Sequence, residues 1–421
     1  MTSRPDIHRT IEAVFRMESA RLIAGLSRLV RNVGLAEELA QDALVTALER
    51  WPQTGIPENP GAWLMAAAKN RAIDVLRREK RLDRKHQEIG HAEQEQTAAP
   101  DLEAALDDDV GDDLLRLVFT ACHPVLSSEA RVALTLRLLG GLSTQEIARA
   151  FLVPEPTIAQ RIVRAKRTLT DAGVPFEVPR GAELQARLSS VLEVVYLVFN
   201  EGYAATAGDD WMRPALCEDA LRLGRILATL VPDEPEVHGL LALMEIQASR
   251  ARARTDATGE PILLLEQNRA LWDQLLIRRG LTGLARAEAL AAAPGPYTLQ
   301  AAIAACHARA LTGADTDWVR IAALYQALAS QSRSPVVELN RAVAVAMAFG
   351  PAAGLELVDA LREEPSLAQY HLLPGVRGDL LVKVGRLAEA RVELERAAAL
   401  ARNARERALL LARAAACEPS S

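Results

Sequence analysis

The 421-residue sequence has few aromatic residues, few cysteines and no long hydrophobic run. Phe, Trp and Tyr together make up 4% of the chain, and the four cysteines show no Cys-x-x-Cys spacing. Scattered cysteines of this kind are typical of a reducing compartment and argue against a disulfide scaffold. No apolar stretch approaches the roughly 20 residues of a membrane-spanning helix, and the first residues lack the apolar centre of a signal peptide. We therefore expect a cytoplasmic protein without a membrane partner.

Motifs of the common enzyme classes are also missing. The sequence contains no P-loop, no nucleophile elbow, no zinc-protease helix and no Rossmann glycine fingerprint, and its seven histidines are scattered. Cys122-His123 and Cys306-His307 invite a metal interpretation. However, adjacent helical side chains point in different directions, and no further ligand pair follows at zinc spacing. We expect no enzymatic activity, no cofactor and no metal site.

The residues that are abundant favour helices. Half of the chain is apolar and a quarter is charged, with many Ala, Leu, Arg and Glu residues and few β-branched ones. These are strong helix formers. The length suits two or three domains with cores of their own. The sequence therefore predicts an all-α protein of several domains.

The net charge of −6 is the sum of unequal blocks. Residues 1–85 hold 15 Lys and Arg against 11 Asp and Glu, whereas residues 86–113 hold 10 acids and no Lys or Arg. Residues 140–169 hold five basic and two acidic residues. Local fields decide partners more than the total charge does. The two basic blocks are candidates for nucleic-acid binding, and the acidic block between them is interpreted as a mobile linker.

Apolar periodicity and turn residues predict the helices of the first 170 residues. Two helices over residues 7–33 and 35–51 are expected, with the break at Gly34. After the turn-rich segment Pro52–Pro60, a third helix is predicted over roughly Ala62–Arg81. Four short helices are predicted between residues 114 and 169.

The stretch GGLSTQEIARAFLVPEPTIAQRIVRAKRTL, residues 140–169, predicts two short helices separated by a proline break. Ser143 and Glu146 form a capping-box pattern that begins the first helix. Pro156 suits the first turn of the second helix. One face of that second helix is apolar, and its members recur at spacings of three or four residues: Ile158, Ile162, Ala165 and Leu169.

In a helix-turn-helix, the second helix enters the major groove of DNA with its first residues over the base edges. A set of polar side chains is left exposed for this contact: Thr157, Gln160, Arg161 and Arg164 over bases, with Lys166 and Arg167 near phosphates. Taken alone, the segment also fits an ordinary helical hairpin with a solvated basic face.

The N-terminal block resembles the extracytoplasmic-function sigma factors of bacterial RNA polymerase, which retain regions two and four of larger sigma-70 proteins. In AEELAQDALVTALERW, the residues Glu38, Gln41 and Asp42 resemble the core-binding motif of region two. This resemblance implies binding to the β and β′ subunits of core RNA polymerase and to promoter DNA. The stretch at residues 140–169 resembles region four, which reads the −35 element.

The stretch GAWLMAAAKNRAIDVLRREKR resembles the helix that melts the promoter and reads the −10 element. The resemblance implies these DNA contacts: Trp63, Asn70, Arg71, Arg77 and Arg78. Opening a duplex requires an aromatic or apolar surface for unstacked bases and cations along the backbone, and this helix has both. Without the resemblance, Trp63 would fit a core tryptophan equally well.

Beyond residue 183 the chain is a train of amphipathic segments separated by Gly and Pro. Gly350 and Gly385 each separate two apolar runs, and their spacing is close to the 34-residue tetratricopeptide repeat. The tail resembles that of sigma factors with a C-terminal tetratricopeptide-like domain, which implies a regulatory role and a regulatory protein or ligand as partner. Arg250, Arg252, Arg254 and Asp256 are interpreted as a solvated face, with a concave binding patch as the alternative.

The sequence thus predicts four segments: region two over 1–85, an acidic linker over 86–112, region four over 113–175 and a tetratricopeptide-like solenoid over 176–421. The expected function is that of a sigma factor that directs promoter-specific initiation, with the C-terminal domain modulating its activity. The alternative is a helix-turn-helix regulator with a solenoid sensor. That alternative leaves the Glu38 motif and the Trp63 helix unexplained.

Overall fold

The computed structural model describes residues 4–87, 110–151, 153–204, 212–256, 261–332, 334–401 and 403–417. Within these ranges the chain is helical and contains no β-strand, which confirms the predicted all-α class. The predicted linker falls outside them over residues 88–109. No helix in the described ranges combines the length and apolar character needed to span a bilayer. The chain forms two compact units, one ending at Val195 and the other beginning at Tyr196.

Three helices form the first part of the N-terminal unit: α1 (Arg4–Val30), α2 (Val33–Thr54) and α3 (Pro60–Gln87). The predicted break at Gly34 is wrong, because the chain turns at Arg31 and Asn32. Arg31 adopts a positive φ of 50°. The Asn32 side chain then accepts a hydrogen bond from the Leu35 amide at 3.0 Å and so begins α2.

Four short helices follow, as predicted: α4 (Val110–Ala121), α5 (Ser128–Leu138), α6 (Thr144–Ala150) and α7 (Glu155–Asp171). The capping box before α6 is confirmed. The Glu146 amide donates to Ser143 Oγ at 3.1 Å, and the Ser143 amide donates to Glu146 Oε2 at 2.7 Å. Pro156 lies in the first turn of α7, as predicted. The predicted apolar face of α7 is confirmed and is buried: Ile158, Ile162, Ala165 and Leu169.

The long helix α8 (Ala182–Tyr203) carries the division between the two units. Its first half packs on α4 and α5. The Arg187 guanidinium donates to the Phe119 carbonyl at 3.0 Å, and Ser190 Oγ donates to the Cys122 carbonyl at 2.7 Å. The N-terminal unit therefore extends past the predicted domain boundary at residue 175 and ends inside α8.

The second unit continues with further helices. These are α9 (Pro214–Leu230), α10 (Pro235–Ala248), α11 (Gln274–Leu290), α12 (Pro296–Arg309), α13 (Trp318–Gln331), α14 (Pro335–Phe349), α15 (Pro351–Ala360), α16 (Leu372–Lys383), α17 (Leu387–Leu400) and α18 (Ala404–Ala415). The turns predicted at Gly350 and Gly385 are confirmed. Both glycines adopt positive φ values, 104° and 81°, where a side chain would be strained.

The basic run between α10 and α11 differs from its prediction. Arg252 is exposed, as expected of a solvated face, but Arg250 and Arg254 are buried. The interpretation as a solvated face was therefore wrong for these two residues. Their guanidinium groups lie against aromatic rings, which attract cations.

Candidate nucleic-acid interface

The outer face of α2 carries the three residues predicted to bind polymerase. Glu38 and Asp42 are exposed, and Gln41 is half-buried. The opposite stripe of α2 is an almost continuous row of apolar residues in the core: Ala36, Leu39, Ala40, Ala43 and Ala47. Helical spacing therefore presents Glu38 and Asp42 on neighbouring turns of one surface.

A groove of about 510 Å³ lies between α2 and α3 and joins the two predicted sites of region two. Its walls include Asp42 from α2, and Trp63, Asn70 and Arg71 from α3. Arg71 Nε lies 3.2 Å from Asp42 Oδ2, and both side chains are about half exposed. The residue predicted to bind polymerase is thus in direct contact with a residue predicted to bind DNA.

Trp63 is half-buried and packs against Trp51 at the groove wall. The two ring centroids are 5.2 Å apart at an interplanar angle of 67°, an edge-to-face contact. Trp51 itself is fully buried. The buried ring thus supports the partly exposed one, which leaves part of an aromatic surface open at the groove.

Arg77 and Arg78 lie farther along α3 and are both exposed. Asn70 and Arg71, one to two turns earlier, are exposed as well. The structure therefore brings four of the five predicted −10 contacts to the surface along one helix, with Trp63 half-buried at its start. These side chains are polar or cationic, which suits a phosphate backbone.

On α7, the residues predicted to contact the −35 element differ in exposure. Thr157, Gln160, Arg164 and Arg167 are exposed, and Arg161 is half-buried. Arg167 also forms a surface ion pair with Asp171 at 3.3 Å. Such exposed pairs contribute little to stability and can exchange with solvent or a phosphate.

Lys166 differs from these residues, because its charge is paired with another residue of the same protein. Its ammonium group forms an ion pair with Glu37 of α2, whose side chain is only 6% exposed. Arg137 of α5 reaches the other oxygen of the same carboxylate at 2.5 Å and donates to the Leu142 carbonyl at 3.1 Å. One carboxylate of α2 therefore holds two cations from the helices that follow the acidic segment.

Two more ion-pair sites join these parts of the N-terminal unit. The Asp113 carboxylate lies 3.2 Å from Arg28 of α1 and 2.7 Å from Arg116 of α4. Arg16 of α1 pairs with the capping residue Glu146. Burial alone would raise the pKa of Glu146, but the Ser143 amide and the Arg16 guanidinium outweigh burial, so the pKa is lowered.

Sequence reasoning did not identify the roles of Glu37, Arg137, Asp113 and Arg16. Glu37 has one local signal, since it lies beside the apolar stripe of α2 rather than on the polar face. Its partner Arg137 is 100 residues away along the chain. No local pattern could have paired the two.

Comparisons with known proteins agree with this layout. The family Sigma-70 region 2 matches residues 14–82, and Sigma-70, region 4 matches residues 116–169. Residues 187–288 match a family of unknown function, DUF6596. The first match covers α2 and α3, and the second covers the helix-turn-helix.

Two relatives are similar to this chain over different lengths. An uncharacterised protein of Rhizobium meliloti (strain 1021) is 44% identical over 402 residues, which are 92% of this chain and 91% of that protein. RNA polymerase sigma factor CarQ of Myxococcus xanthus is 33% identical over 140 residues, which are 32% of this chain and 73% of CarQ. No solved structure matches the chain significantly.

The matched regions lie in the same order along the chain as the two surfaces described above. A helical domain follows region four. The chain belongs to the sigma-70 family of RNA polymerase sigma factors, with the two-region organisation of the extracytoplasmic-function subfamily and a C-terminal helical extension.

Proposed function

We propose that this sigma factor binds core RNA polymerase through the outer face of α2, engages the −10 element through α3 and reads the −35 element through α7. The observation that supports this most strongly is the α2–α3 groove. It combines an exposed acidic face, a partly exposed Trp63 ring and cationic side chains on one surface.

The α3 surface suits a melted strand better than a closed duplex. An unpaired base has a free aromatic face that can stack on a ring such as Trp63. Arg71, Arg77 and Arg78 extend from that ring along the helix and can follow the phosphates of the same strand. Trp63 is therefore proposed to stack on an unpaired base, and the arginines are proposed to neutralise the DNA phosphates.

The ion pairs of Glu37 link region two to region four and so affect how α7 engages DNA. Lys166 cannot neutralise a DNA phosphate while its ammonium group is paired with Glu37. Full use of α7 on DNA therefore requires the α2–α7 contact to open. The helical extension that begins in α8 is proposed to modulate promoter activity, since the first half of α8 packs on α4 and α5.

In vitro transcription with core polymerase and a library of genomic fragments tests the proposal. We expect new transcripts that depend on the protein, with shared sequence elements centred upstream of their start sites. Core polymerase alone provides the control. If the protein adds no transcripts yet binds duplex DNA stably by itself, it acts as a helix-turn-helix regulator instead.

A further inference from the structure

Three arginines and two aromatic rings alternate inside the C-terminal unit. The Arg254 guanidinium lies 3.6 Å from the centroid of the Tyr203 ring. The Arg250 guanidinium lies 5.6 Å from the same centroid and 5.8 Å from that of Trp272. The Arg269 guanidinium lies 4.9 Å from the Trp272 centroid. Arg250 thus occupies the middle of this arrangement, between both rings.

The two outer arginines have structural partners. Arg269 donates to the carbonyls of His307 and Ala310 at 2.5 and 2.7 Å, at the C-terminal end of α12. Arg254 donates to the Tyr203 carbonyl at the end of α8. Helix C-termini carry partial negative charge and unpaired carbonyls, so cations are stabilised there. These contacts offset the cost of burying Arg254 and hold the half-buried Arg269 in place.

Arg250 has no such partner. It is 8% exposed, and its buried Nε makes no hydrogen bond. In the part of the chain that the structure describes, no carboxylate forms an ion pair with its guanidinium group and no oxygen accepts a hydrogen bond from it. Contact with two rings offsets part of the cost of burying a cation. A buried charge normally also has an anionic or hydrogen-bonding partner.

Further polar groups beside the arrangement are also unsatisfied. Trp272 Nε1 and His307 Nδ1 are both buried without a hydrogen-bond partner. Burial, with the charges of Arg250 and Arg269 adding to it, lowers the pKa of His307 to about 4. The imidazole is therefore neutral near pH 7 and adds no charge. The surroundings of Arg250 hold unused donors as well as excess positive charge.

We propose that Arg250 is the anchor of a binding site for a small oxyanion, a carboxylate or phosphate group, beside the rings of Tyr203 and Trp272. A guanidinium group presents a planar fork of N–H donors that matches the oxygens of either group. The site lies wholly within the C-terminal unit and is separate from the surfaces assigned to polymerase and promoter.

Binding of inorganic phosphate and of succinate to the full chain tests the site. Both are titrated by calorimetry at constant ionic strength, and the thermal unfolding midpoint is followed in parallel, since a ligand of the native state raises it. We expect saturable binding of at least one of the two, and the comparison shows whether phosphate or carboxylate is preferred. The assay reads anion binding directly, so its outcome does not depend on whether the chain initiates transcription.

Variants locate the anion. Arg250→Gln is expected to bind about 10-fold to 100-fold more weakly, as for the loss of a charged hydrogen bond. Arg252→Gln, which removes an exposed arginine of the same run, should bind like the wild type. Arg250→Lys keeps the charge but loses the planar fork and should bind with reduced affinity. It replaces Arg250→Gln if circular dichroism shows that the glutamine variant does not fold.

The proposal is overturned by any of three results. The first is that neither anion binds the wild-type chain saturably. The second is that chloride produces the same response, which indicates general screening. The third is that a folded Arg250 variant retains wild-type affinity.

Discussion

Lys166, on α7 of region four, forms an ion pair with Glu37, which directly precedes the predicted polymerase-binding residue Glu38. The carboxylate is almost fully buried and also holds Arg137 at 2.5 Å. A single side chain of region two thus neutralises two cations of region four. Adjacent residues of α2 face in different directions, Glu37 towards region four and Glu38 towards solvent.

Glu37→Gln should destabilise the N-terminal unit, because it leaves two largely buried cations without their anion. Removing one partner of a buried ion pair costs about 3 kcal/mol, and this loss should appear in urea denaturation followed by circular dichroism. Glu38→Gln is the matched control. It changes an exposed neighbour and should alter the unfolding free energy by less than about 0.5 kcal/mol.

The two variants should rank in the opposite order when their affinity for core polymerase is measured instead of their stability. Glu38→Gln is expected to weaken binding to core polymerase, whereas Glu37→Gln should retain it, as measured by fluorescence anisotropy with labelled protein. Equal stability of the two variants would contradict the structural role of Glu37. Equal polymerase affinity would contradict the assignment of Glu38.

The contact between Asp42 and Arg71 allows the polymerase and DNA roles to be separated. Gln41→Ala combined with Asp42→Asn should abolish core binding while the fold is retained, since an ion pair this exposed contributes at most about 1 kcal/mol. Arg71→Gln breaks the same ion pair from the other side. It should leave core binding intact and reduce open-promoter formation, measured by permanganate footprinting. If both variants lose core binding equally, the intact ion pair rather than Asp42 is what polymerase recognises.

Local rules predicted much of this fold. The Ser143 capping box, Pro156 in the first turn of α7 and the turn glycines Gly350 and Gly385 each depend on residues a few positions apart. The break between α1 and α2 was misplaced because Gly34 is a strong turn signal in sequence. In the structure, the cap made by Asn32 already begins the helix before Gly34.

The interactions that could not be predicted join distant residues. Arg250 and Arg254 belong to a short run of alternating arginines, whose pattern is typical of a solvated face. Their burial depends on Tyr203 and Trp272, which come from separate helical segments. The ion pair between Glu37 and Lys166 likewise joins residues that are far apart in the sequence. Burial of a charge is decided by tertiary partners, which hydrophobic periodicity does not identify.

Arg164→Ala should weaken binding to a matched −35 element by about 1–3 kcal/mol if the side chain contacts a base. Arg164 is exposed on the same face of α7 as Gln160. The measurement compares the affinity for the matched element with that for single-base variants, at one fixed salt concentration. Selectivity should relax at one position. A uniform loss across all sequences would instead identify Arg164 as a phosphate contact.

Glu146 should make the contact between α1 and α6 sensitive to acid. Its pKa is lowered in the folded state, so the carboxylate stabilises the fold above the ordinary glutamate range. This contribution is lost as the pH falls through the lowered pKa of the folded state. Glu146→Gln should therefore be less stable than the wild type near pH 7, and the difference should disappear at low pH. Urea denaturation across this pH range measures the difference in unfolding free energy, and the exposed Gln145→Ala is the control. A difference that persists in acid would show that the stabilisation does not depend on ionisation of Glu146.

Two truncations distinguish regulation by the C-terminal unit from structural support by α8. A chain ending after Val174 lacks the first half of α8, including Arg187 and Ser190, which bond to the Phe119 and Cys122 carbonyls of the N-terminal unit. A chain ending after Val195 keeps them. We expect the shorter chain to be less stable, because the Phe119 and Cys122 carbonyls lose the hydrogen bonds from Arg187 and Ser190.

The longer chain should fold and transcribe in vitro, but at a level several-fold different from that of the full chain, in either direction. Transcription is compared at equal polymerase saturation, so that only promoter activity differs. Identical transcription by the longer truncation and the full chain would show that the C-terminal unit has no regulatory effect on the polymerase. Identical stability of the two truncations would show that α8 contributes nothing to region four. Since α8 holds side chains that serve both units, we expect neither result.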